Sequence, residues 1–475
     1  MRKQVWIGLS LLLALGCKQD EPGVQPAPYA GKNVLLISLD TLRADRLGCY
    51  GYERSTSPFL DQLAASGVRF EAVTAPATKT APSHMSMFTG MHPGVHGVRN
   101  YYGAEGTAAA PGLPTLPEMF RGNGYQTAAF TGGGMMSGEL GFARGFEVYD
   151  DGGGGAPRVF GKVSDWLGAR VALDDPRPFF LFVHTYEIHD PYTPPAEWAA
   201  RFTSPYEGPV DATRVEFPEN YAELWKTDPE FYERVQERFW GNYRGGNADD
   251  VRYISELYDA GIAYTDDLLR QLFAELVALG LDEDLVVILT SDHGEEFGEH
   301  GQLTHQSLYQ EVLHVPLLVR LPDGARAGEV VAQPVQGADL TPSLSALLGL
   351  DPPFDVPWQG RSWVPALLGE EQEPWPSWAE IATPSNDERS LRWGRIKRIA
   401  RDGGEVELYD LGFDPGEEFD AVENMVDLER HLAELMQAEA RSVSDLRADY
   451  EASAVELGDA AQAQMNALGY TGEDD

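Results

Sequence analysis

The residues best suited to chemistry lie in the stretch 80–90, which reads Thr-Ala-Pro-Ser-His-Met-Ser-Met-Phe-Thr-Gly. Pro82 suits the first turn of a helix because its missing N–H would be unpaired there anyway, and Gly90 suits the end. Thr80 is therefore predicted at or just before a helix N-terminus, where free N–H groups favour an anion. A hydroxyl there can attack a phosphate or sulfate ester if a metal ion lowers its pKa. The alternative is that Thr80 only caps the helix.

Two other motifs each place a carboxylate at the end of a nearly continuous apolar run. Asp40 follows the first run directly, and Asp292-His293 follow the second after one serine. Ligands bind at the carboxyl ends of strands in open α/β sheets, and carboxylate and imidazole groups bind metals. Asp40, Thr80, Asp292 and His293 are therefore predicted to hold one divalent metal ion. The alternatives are that the aspartates only cap turns and that His293 is solvated.

A second set of polar residues follows the strand predicted at 179–183, and its members could hold a second metal ion or bind the oxyanion of a substrate. The set is Glu187, His189, Asp190 and, on the excursion after His293, His305. Imidazole beside oxygen ligands fits Zn²⁺ or Mn²⁺ better than Ca²⁺, so one or two such ions are expected. The alternative is that these histidines are structural.

The elements that must position these residues alternate between strands and helices to about residue 350. Apolar runs predict buried strands, of the kind found in parallel sheets, at 34–39, 126–131, 179–183, 285–290 and 315–320. Helical periodicity with start and stop signals predicts helices at 57–66, 115–124, 163–171, 257–279 and 339–348. The alternation predicts a large α/β domain.

The predicted catalytic domain covers residues 33–385. Residues 198–250 are rich in aromatic and acidic side chains, and they form either a lid insertion over the site or a packed peripheral subdomain. Residues 386–475 are predicted to form a small α+β subdomain. In it, two antiparallel strands at 391–399 and 406–411 flank a turn at 402–404, and an acidic helical tail follows.

The composition is that of a globular protein with a formal net charge of −39 over 475 residues. This charge argues against binding to nucleic acid or to an anionic membrane surface. Residues 1–17 combine a charged start with a short apolar stretch that ends Ala-Leu-Gly-Cys, which resembles a bacterial lipoprotein signal. Cys17 is therefore the predicted lipidation site, residues 18–32 form a tether, and the protein is expected in the cell envelope. The alternative is an ordinary cleaved signal peptide with Cys17 lost.

Five motifs in this order resemble the sulfatase family of the alkaline phosphatase superfamily: residues 33–51, 80–90, 184–195, 291–301 and 407–415. The resemblance implies a central, mainly parallel sheet between helices and a C-terminal subdomain with a small antiparallel sheet. It also implies hydrolysis of esters.

The chain departs from typical sulfatases, which carry a Cys or Ser that becomes formylglycine, followed by a Pro and an Arg. Here Thr80 holds the nucleophile position, where it cannot give formylglycine, and His84 replaces the arginine. Thr41 stands in place of a second aspartate, and His293 in place of an asparagine. The threonine and the histidine set look more like those of the phosphoethanolamine and lipoteichoic acid transferases.

The resulting hypothesis is a secreted, lipid-anchored, metal-dependent hydrolase of sulfate or phosphate mono- or diesters, with small-molecule, glycan or lipid substrates. A metal-activated Thr80 would attack the ester, and water or another alcohol would then release the group. The residues expected to act in catalysis are Thr80, His84, His184, His189 and His305. The alternatives are a phosphoryl-group transferase and a catalytically silent surface binding protein.

Overall fold

The computed structural model describes residues 27–99, 105–173, 175–214, 231–382, 387–450, 452–458, 461–462 and 464–465. The predicted signal peptide 1–17 with Cys17, and the tether as far as residue 26, lie outside the described residues. Within the described ranges, no helix is both long enough and apolar enough to cross a membrane.

Short strands and helices alternate along most of the chain. The strands are β1 (Asn33–Leu39), β2 (Val68–Phe70), β3 (Val73–Thr74), β4 (Glu105–Ala108), β5 (Gln126–Phe130), β6 (Val148–Asp150), β7 (Phe179–Thr185), β8 (Leu285–Thr290), β9 (Glu296–Phe297), β10 (Leu303–Thr304), β11 (Leu317–Arg320), β12 (Glu329–Val331), β13 (Val335–Gln336), β14 (Ser377–Ala382), β15 (Asp387–Trp393), β16 (Ile396–Ala400), β17 (Val406–Asp410) and β18 (Ser453–Glu456).

The helices are α1 (Pro58–Ser66), α2 (Thr80–Thr89), α3 (Pro93–His96), α4 (Leu116–Gly122), α5 (Ala156–Leu173), α6 (Ala196–Phe202), α7 (Phe231–Trp240), α8 (Ala248–Ala278), α9 (Gln310–Leu313), α10 (Leu340–Leu348), α11 (Val364–Leu367) and α12 (Val426–Arg447).

The larger domain is built on an eight-stranded sheet in the order β12-β2-β11-β8-β1-β7-β5-β6. Neighbouring strands are parallel except at β11, which is antiparallel to both β8 and β2. All five strands predicted from apolar runs belong to this sheet. The mainly parallel sheet expected from the sequence is therefore confirmed.

The central strand β1 has apolar side chains on both faces, so the sheet is covered on both sides. Val34 and Leu36 join one hydrophobic core, and Leu35 and Ile37 join the other, because successive side chains of a strand point to opposite faces. The first core includes residues of α2, α4 and α10, and the second includes residues of α1, α5 and α8. Helices therefore lie on both faces, as the resemblance implied.

The C-terminal region carries a second, antiparallel sheet in the order β14-β15-β16-β17. The run 391–399, predicted to be a single strand, is two strands, because Gly394 takes a left-handed conformation (φ 61°) that turns the chain between them. The alternation of side chains continues across the turn, so the pattern alone did not show it. The first strand of this sheet begins at Ser377, so the predicted boundary between residues 385 and 386 falls inside the sheet.

The described part of the segment 198–250 is helical and lies against the loop that follows β7. It includes most of α6, α7 and the start of α8, while residues 215–230 lie outside the described residues. Trp240 at the end of α7 donates from Nε1 to Asp190 Oδ2 at 2.8 Å. The segment therefore contacts one of the sequence motifs directly.

A buried ion pair of the C-terminal subdomain lies at its contact with the larger domain. Lys397 Nζ lies 2.7 Å from Glu417 Oε1, with both side chains at most 1% exposed. Glu417 Oε2 also accepts from the Gln310 amide at 2.6 Å, which ties the C-terminal sheet to α9. Burial lowers the pKa of Lys397 and raises that of Glu417, so each charge depends on its partner.

We expect Glu417→Gln to lower the free energy of unfolding by about 3 kcal/mol, because it leaves the Lys397 charge buried without a counter-ion. Urea unfolding followed by circular dichroism measures this. The matched control is Asp427→Asn, which removes a carboxylate from an exposed pair with Arg430 and should change stability far less. Equal changes in the two variants would contradict the role of the buried pair.

Candidate functional site

Thr80 is the first residue of α2, and its side chain is fully buried. Lys79 occupies the N-cap position, and no side chain caps the helix. The Thr80 hydroxyl instead donates to Asp40 Oδ2 at 3.1 Å. The alternative in which Thr80 only caps a helix is therefore wrong, and the hydroxyl lies beside a carboxylate at the N-terminus of a helix.

Asp40, Asp292 and His293 form a buried cluster in which one ligand atom from each residue lies within 4.8 Å of the others. Two neighbouring parallel strands bring them together, because β1 and β8 end side by side with Ser38 opposite Thr290. All three side chains are 0% exposed. The structure thus places the predicted metal ligands in one cluster, next to the Thr80 hydroxyl.

The donor atoms of this cluster fit a divalent cation. Asp40 Oδ1, Asp292 Oδ2 and His293 Nε2 are buried and have no hydrogen-bond partner among the described residues. Burial and the charge of Asp292 raise the pKa of Asp40 well above its usual range, so the ionised form of Asp40 is unfavourable there without a nearby cation. His293 Nδ1 donates to the Gly294 carbonyl at 3.0 Å, and burial lowers the histidine pKa to about 4. His293 Nε2 therefore carries a lone pair toward the cluster.

His184 orients Asp40. The Gly132 amide donates to His184 Nδ1 at 3.4 Å, so the ring proton is on Nε2, which donates to Asp40 Oδ2 at 3.1 Å. Burial lowers the pKa of His184 to about 4, so the ring is neutral at pH 7. Asp40 Oδ2 thus accepts from both Thr80 and His184, which leaves Oδ1 for a metal ion.

His84, on the second turn of α2, lies behind the cluster. Its Nδ1 donates to the Thr80 carbonyl at 2.9 Å and lies 3.7 Å from Asp292 Oδ2, while its Nε2 bonds to Ser38 Oγ at 2.8 Å. Both ring nitrogens are therefore engaged by the protein. This geometry favours a positioning role for His84 over the direct catalytic role expected from the sequence.

His189 and His305 lie on the other side of His293. The ring centroid of His305 lies 4.5 Å from that of His293 and 5.3 Å from that of His189. Burial and the charge of Lys79 hold the pKa of His305 well below its usual range. His305 Nδ1 donates to Glu295 Oε1 at 3.0 Å, which fixes the orientation of the ring. The structure thus joins both histidines to the candidate site.

Glu187 does not join this group. Its Oε1 accepts from Arg214 Nη1 at 2.7 Å and its Oε2 from the Ala156 amide at 2.9 Å. Asp190 accepts from Trp240, and one of its oxygens lies 3.2 Å from His189 Nδ1. In the part of the chain that the structure describes, no second group of three metal-ligating side chains meets as closely as the first. The protein thus engages both oxygens of Glu187, and a second metal ion or a substrate oxyanion held by this set of residues stays a prediction.

Three residues of the site were missed by the sequence reasoning. Lys79 is 4% exposed and directly precedes Thr80. The signal for its role was the presence of a lysine within a stretch that is otherwise buried. Glu295 is fully buried and orients His305. Thr41 adopts a left-handed backbone (φ 58°) with its buried hydroxyl unpaired among the described residues, a strain that is typical of functional sites.

The sequence matches the Sulfatase family model over residues 32–350, which is most of the chain. A second model, N-sulphoglucosamine sulphohydrolase, C-terminal, matches residues 298–445. Human iduronate 2-sulfatase is 28% identical over 400 residues, which cover 74% of this chain and 69% of that protein. The N-acetylglucosamine-6-O-sulfatase of Bacteroides thetaiotaomicron is 22% identical over 81% of both chains.

The fold is also similar to solved structures. The crystal structure of the phosphonate monoester hydrolase of Agrobacterium radiobacter superposes with a TM-score of 0.66 at 21% identity. The superposition covers 89% of this chain and 96% of that one. At this identity the likeness concerns the fold, and it covers both the central sheet and the C-terminal subdomain.

Proposed function

The chain belongs to the sulfatase family, and on that premise we propose that it is a metal-dependent hydrolase of sulfate or phosphate esters with Thr80 as nucleophile. The observation that carries the proposal is the buried Thr80 hydroxyl, 3.1 Å from Asp40 Oδ2 and next to the Asp292-His293 ligands. A threonine that served packing alone would not require two uncompensated carboxylates around it.

Asp40, Asp292 and His293 would hold the cation, and Thr80 would complete the set. A bound cation supplies positive charge that lowers the pKa of the hydroxyl and stabilises the nonbridging oxygens of the ester. Asp40 Oδ2 accepts the hydroxyl proton, and the N-terminus of α2 favours the anionic group. Thr80 Oγ then forms a bond to sulfur or phosphorus as the alcohol leaves.

His305 and His189 are the groups placed to assist the leaving alcohol and the water that later releases the group from Thr80. Glu295 fixes the tautomer of His305 through Nδ1, so that Nε2 is the nitrogen able to exchange a proton. Lys79 adds positive charge beside His293 and His305, which favours binding of an anionic substrate.

The substrate class that fits best is an ester on a small molecule or a glycan, because two sulfatases similar to this chain, iduronate 2-sulfatase and N-acetylglucosamine-6-O-sulfatase, are named for sugars. A threonine nucleophile favours phosphate esters at least as much as sulfate esters. The imidazole ligand favours Zn²⁺ or Mn²⁺ over Ca²⁺. We also propose lipidation at Cys17, which would place the enzyme in the cell envelope.

The test measures p-nitrophenol release from the sulfate, the phosphate and the phosphodiester, with Zn²⁺, Mn²⁺ or Ca²⁺ added to chelator-treated protein. Metal-dependent turnover of at least one ester supports the proposal, and the preferred ester fixes the substrate class. Release that increases only when an alcohol acceptor is added would favour the transferase alternative. No turnover of any ester with any of the metals would contradict a general hydrolase.

Glu295→Gln is expected to lower kcat/KM by about tenfold to a hundredfold, because it weakens the hydrogen bond that orients His305. Steady-state kinetics with the best p-nitrophenyl ester measures this. The matched control is Glu296→Gln, a neighbouring buried glutamate whose Oε1 accepts from Ser307 at 2.8 Å. Equal losses in both variants would assign the effect to the loop as a whole.

We expect kcat/KM to rise several-fold between about 10 and 200 mM NaCl, because added salt shortens the screening length from about 30 to about 8 Å. The reason is that a net charge of −39 repels an anionic ester before it reaches the site. The effect should appear in kcat/KM and not in kcat. A fall in kcat/KM with salt would show that local positive charge dominates the approach.

A further inference from the structure

A cavity of about 610 Å³ lies between the C-terminal antiparallel sheet and the central sheet, and we name it the seam cavity. Glu71 and His314 contribute from the larger domain, Arg392 from the end of β15, and Gly394 and Arg395 from the turn between β15 and β16. Glu71 follows β2, and His314 precedes β11, whose Leu317 lies opposite the last residue of β8. The seam cavity is therefore on the same edge of the sheet as the metal cluster.

Arg392 is the notable residue of the seam cavity, because its charge has no counter-ion. Its Nε donates to the Gly394 carbonyl at 2.8 Å, and it forms no ion pair with any carboxylate in the described ranges. Burial lowers the pKa of Arg392 to about 10, opposed only by longer-range attraction from Glu417 and Glu71. Arg392 lines the cavity, and its terminal nitrogens form no hydrogen bond with the described residues.

The neighbouring cations are already neutralised. Lys397, opposite Arg392 on β16, pairs with Glu417, and Arg395 pairs with Asp410 at 3.0 Å. His314 donates from Nε2 to the Glu71 carbonyl at 2.9 Å, and burial lowers its pKa, so it is neutral at pH 7. In a protein of net charge −39, an unpaired, partly desolvated guanidinium in a cavity requires a reason.

We propose that the seam cavity binds an oxyanion group, a carboxylate, sulfate or phosphate, through the guanidinium of Arg392. A guanidinium fork matches the geometry of such groups and binds them with two parallel hydrogen bonds. The volume lies in the range of small-molecule sites and exceeds what one inorganic anion fills. If the proposed function holds, on which this step rests, an anionic saccharide unit is the expected carrier, and a free inorganic anion shares the same chemistry.

Binding is measured on the metal-loaded full chain as the rise in Tm with sodium sulfate over sodium chloride of equal ionic strength. The variants are Arg392→Gln, which removes the charge, Arg392→Lys, which removes only the fork, and Arg430→Gln, an exposed arginine outside the cavity. Any anion binding at the metal cluster contributes equally to all of them. The apparent Kd for sulfate should rise at least tenfold in Arg392→Gln, less in Arg392→Lys, and not in Arg430→Gln.

A second experiment, which requires turnover, distinguishes an anionic saccharide from a free inorganic anion as the source of the oxyanion. It compares KM for an ester on a neutral sugar with KM for the same ester on a uronic acid. A rise in KM for the uronic acid alone in Arg392→Gln assigns the cavity to the substrate, and unchanged KM with weakened sulfate binding assigns it to a free anion. Wild-type sulfate binding and wild-type KM values in Arg392→Gln would overturn the proposal. Because sulfate binding needs no turnover, it tests the cavity even if the proposed hydrolase activity fails.

Discussion

Thr80→Ala is expected to lower kcat/KM for the best ester by about 10⁴-fold or more, which corresponds to about 5 kcal/mol of lost transition-state stabilisation. The hydroxyl is the one group that forms the covalent bond in the proposed reaction, and the histidines around it cannot replace its oxygen. Thr80→Ser keeps the hydroxyl and should retain a measurable fraction of the activity. Single-turnover kinetics with excess enzyme should show no rapid release of p-nitrophenol in Thr80→Ala.

Thr89→Ala is the matched control, because it removes the same atoms from the other end of the same helix. Its Oγ1 donates to the Met85 carbonyl at 2.7 Å and is equally buried, but it does not contact the metal cluster. Thr89→Ala should change stability without a comparable loss of kcat/KM. If Thr80→Ala retained more than a tenth of the wild-type activity, Thr80 would not be the nucleophile, whatever the effect of the control.

The central sheet and the metal cluster could be predicted from the sequence because both depend on local patterns. A run such as 285–290 is typical of a strand buried on both faces of a mainly parallel sheet, and a carboxylate that follows it lies at the carboxyl edge. Asp40 and Asp292-His293 follow two such runs, so their meeting required only that the two strands be neighbours. The register of β1 with β8 provides this.

The roles of individual side chains could not be predicted in the same way, because they depend on partners far away in the chain. Glu187 has the right type and position for a ligand, but Arg214 and the Ala156 amide bind both of its oxygens. His84 faces Ser38 and the Thr80 carbonyl, contacts that no spacing reveals. Glu295 acts through His305, ten residues on, after the chain has formed β9 and β10.

Removal of the metal ion is expected to lower both activity and stability, and Asp40→Asn should separate the two effects. In the metal-free protein, burial and the charge of Asp292 raise the pKa of Asp40 well above its usual range, so neutralising Asp40 should raise the Tm. In the presence of Zn²⁺ or Mn²⁺ the wild type should gain about 4 kcal/mol at a thousandfold excess over Kd. Asp40→Asn should lose most of that gain and lower kcat/KM by about 10³-fold, since a neutral amide binds the ion far more weakly.

A variant whose Tm is higher than that of the wild type without metal, but which gains less Tm from metal, is the pattern specific for a metal site. Asp339→Asn is the matched control: Asp339 is also fully buried, but its oxygens accept from the Gln336 and Arg361 amides. That substitution should lower the Tm equally with and without chelator, and it should leave the metal-induced gain at its wild-type size. Thermal unfolding with EDTA and with each metal measures all three proteins. If EDTA left the Tm of the wild type unchanged, or if metal-free Asp40→Asn were less stable than the metal-free wild type, the two carboxylates would have a structural role without a cation.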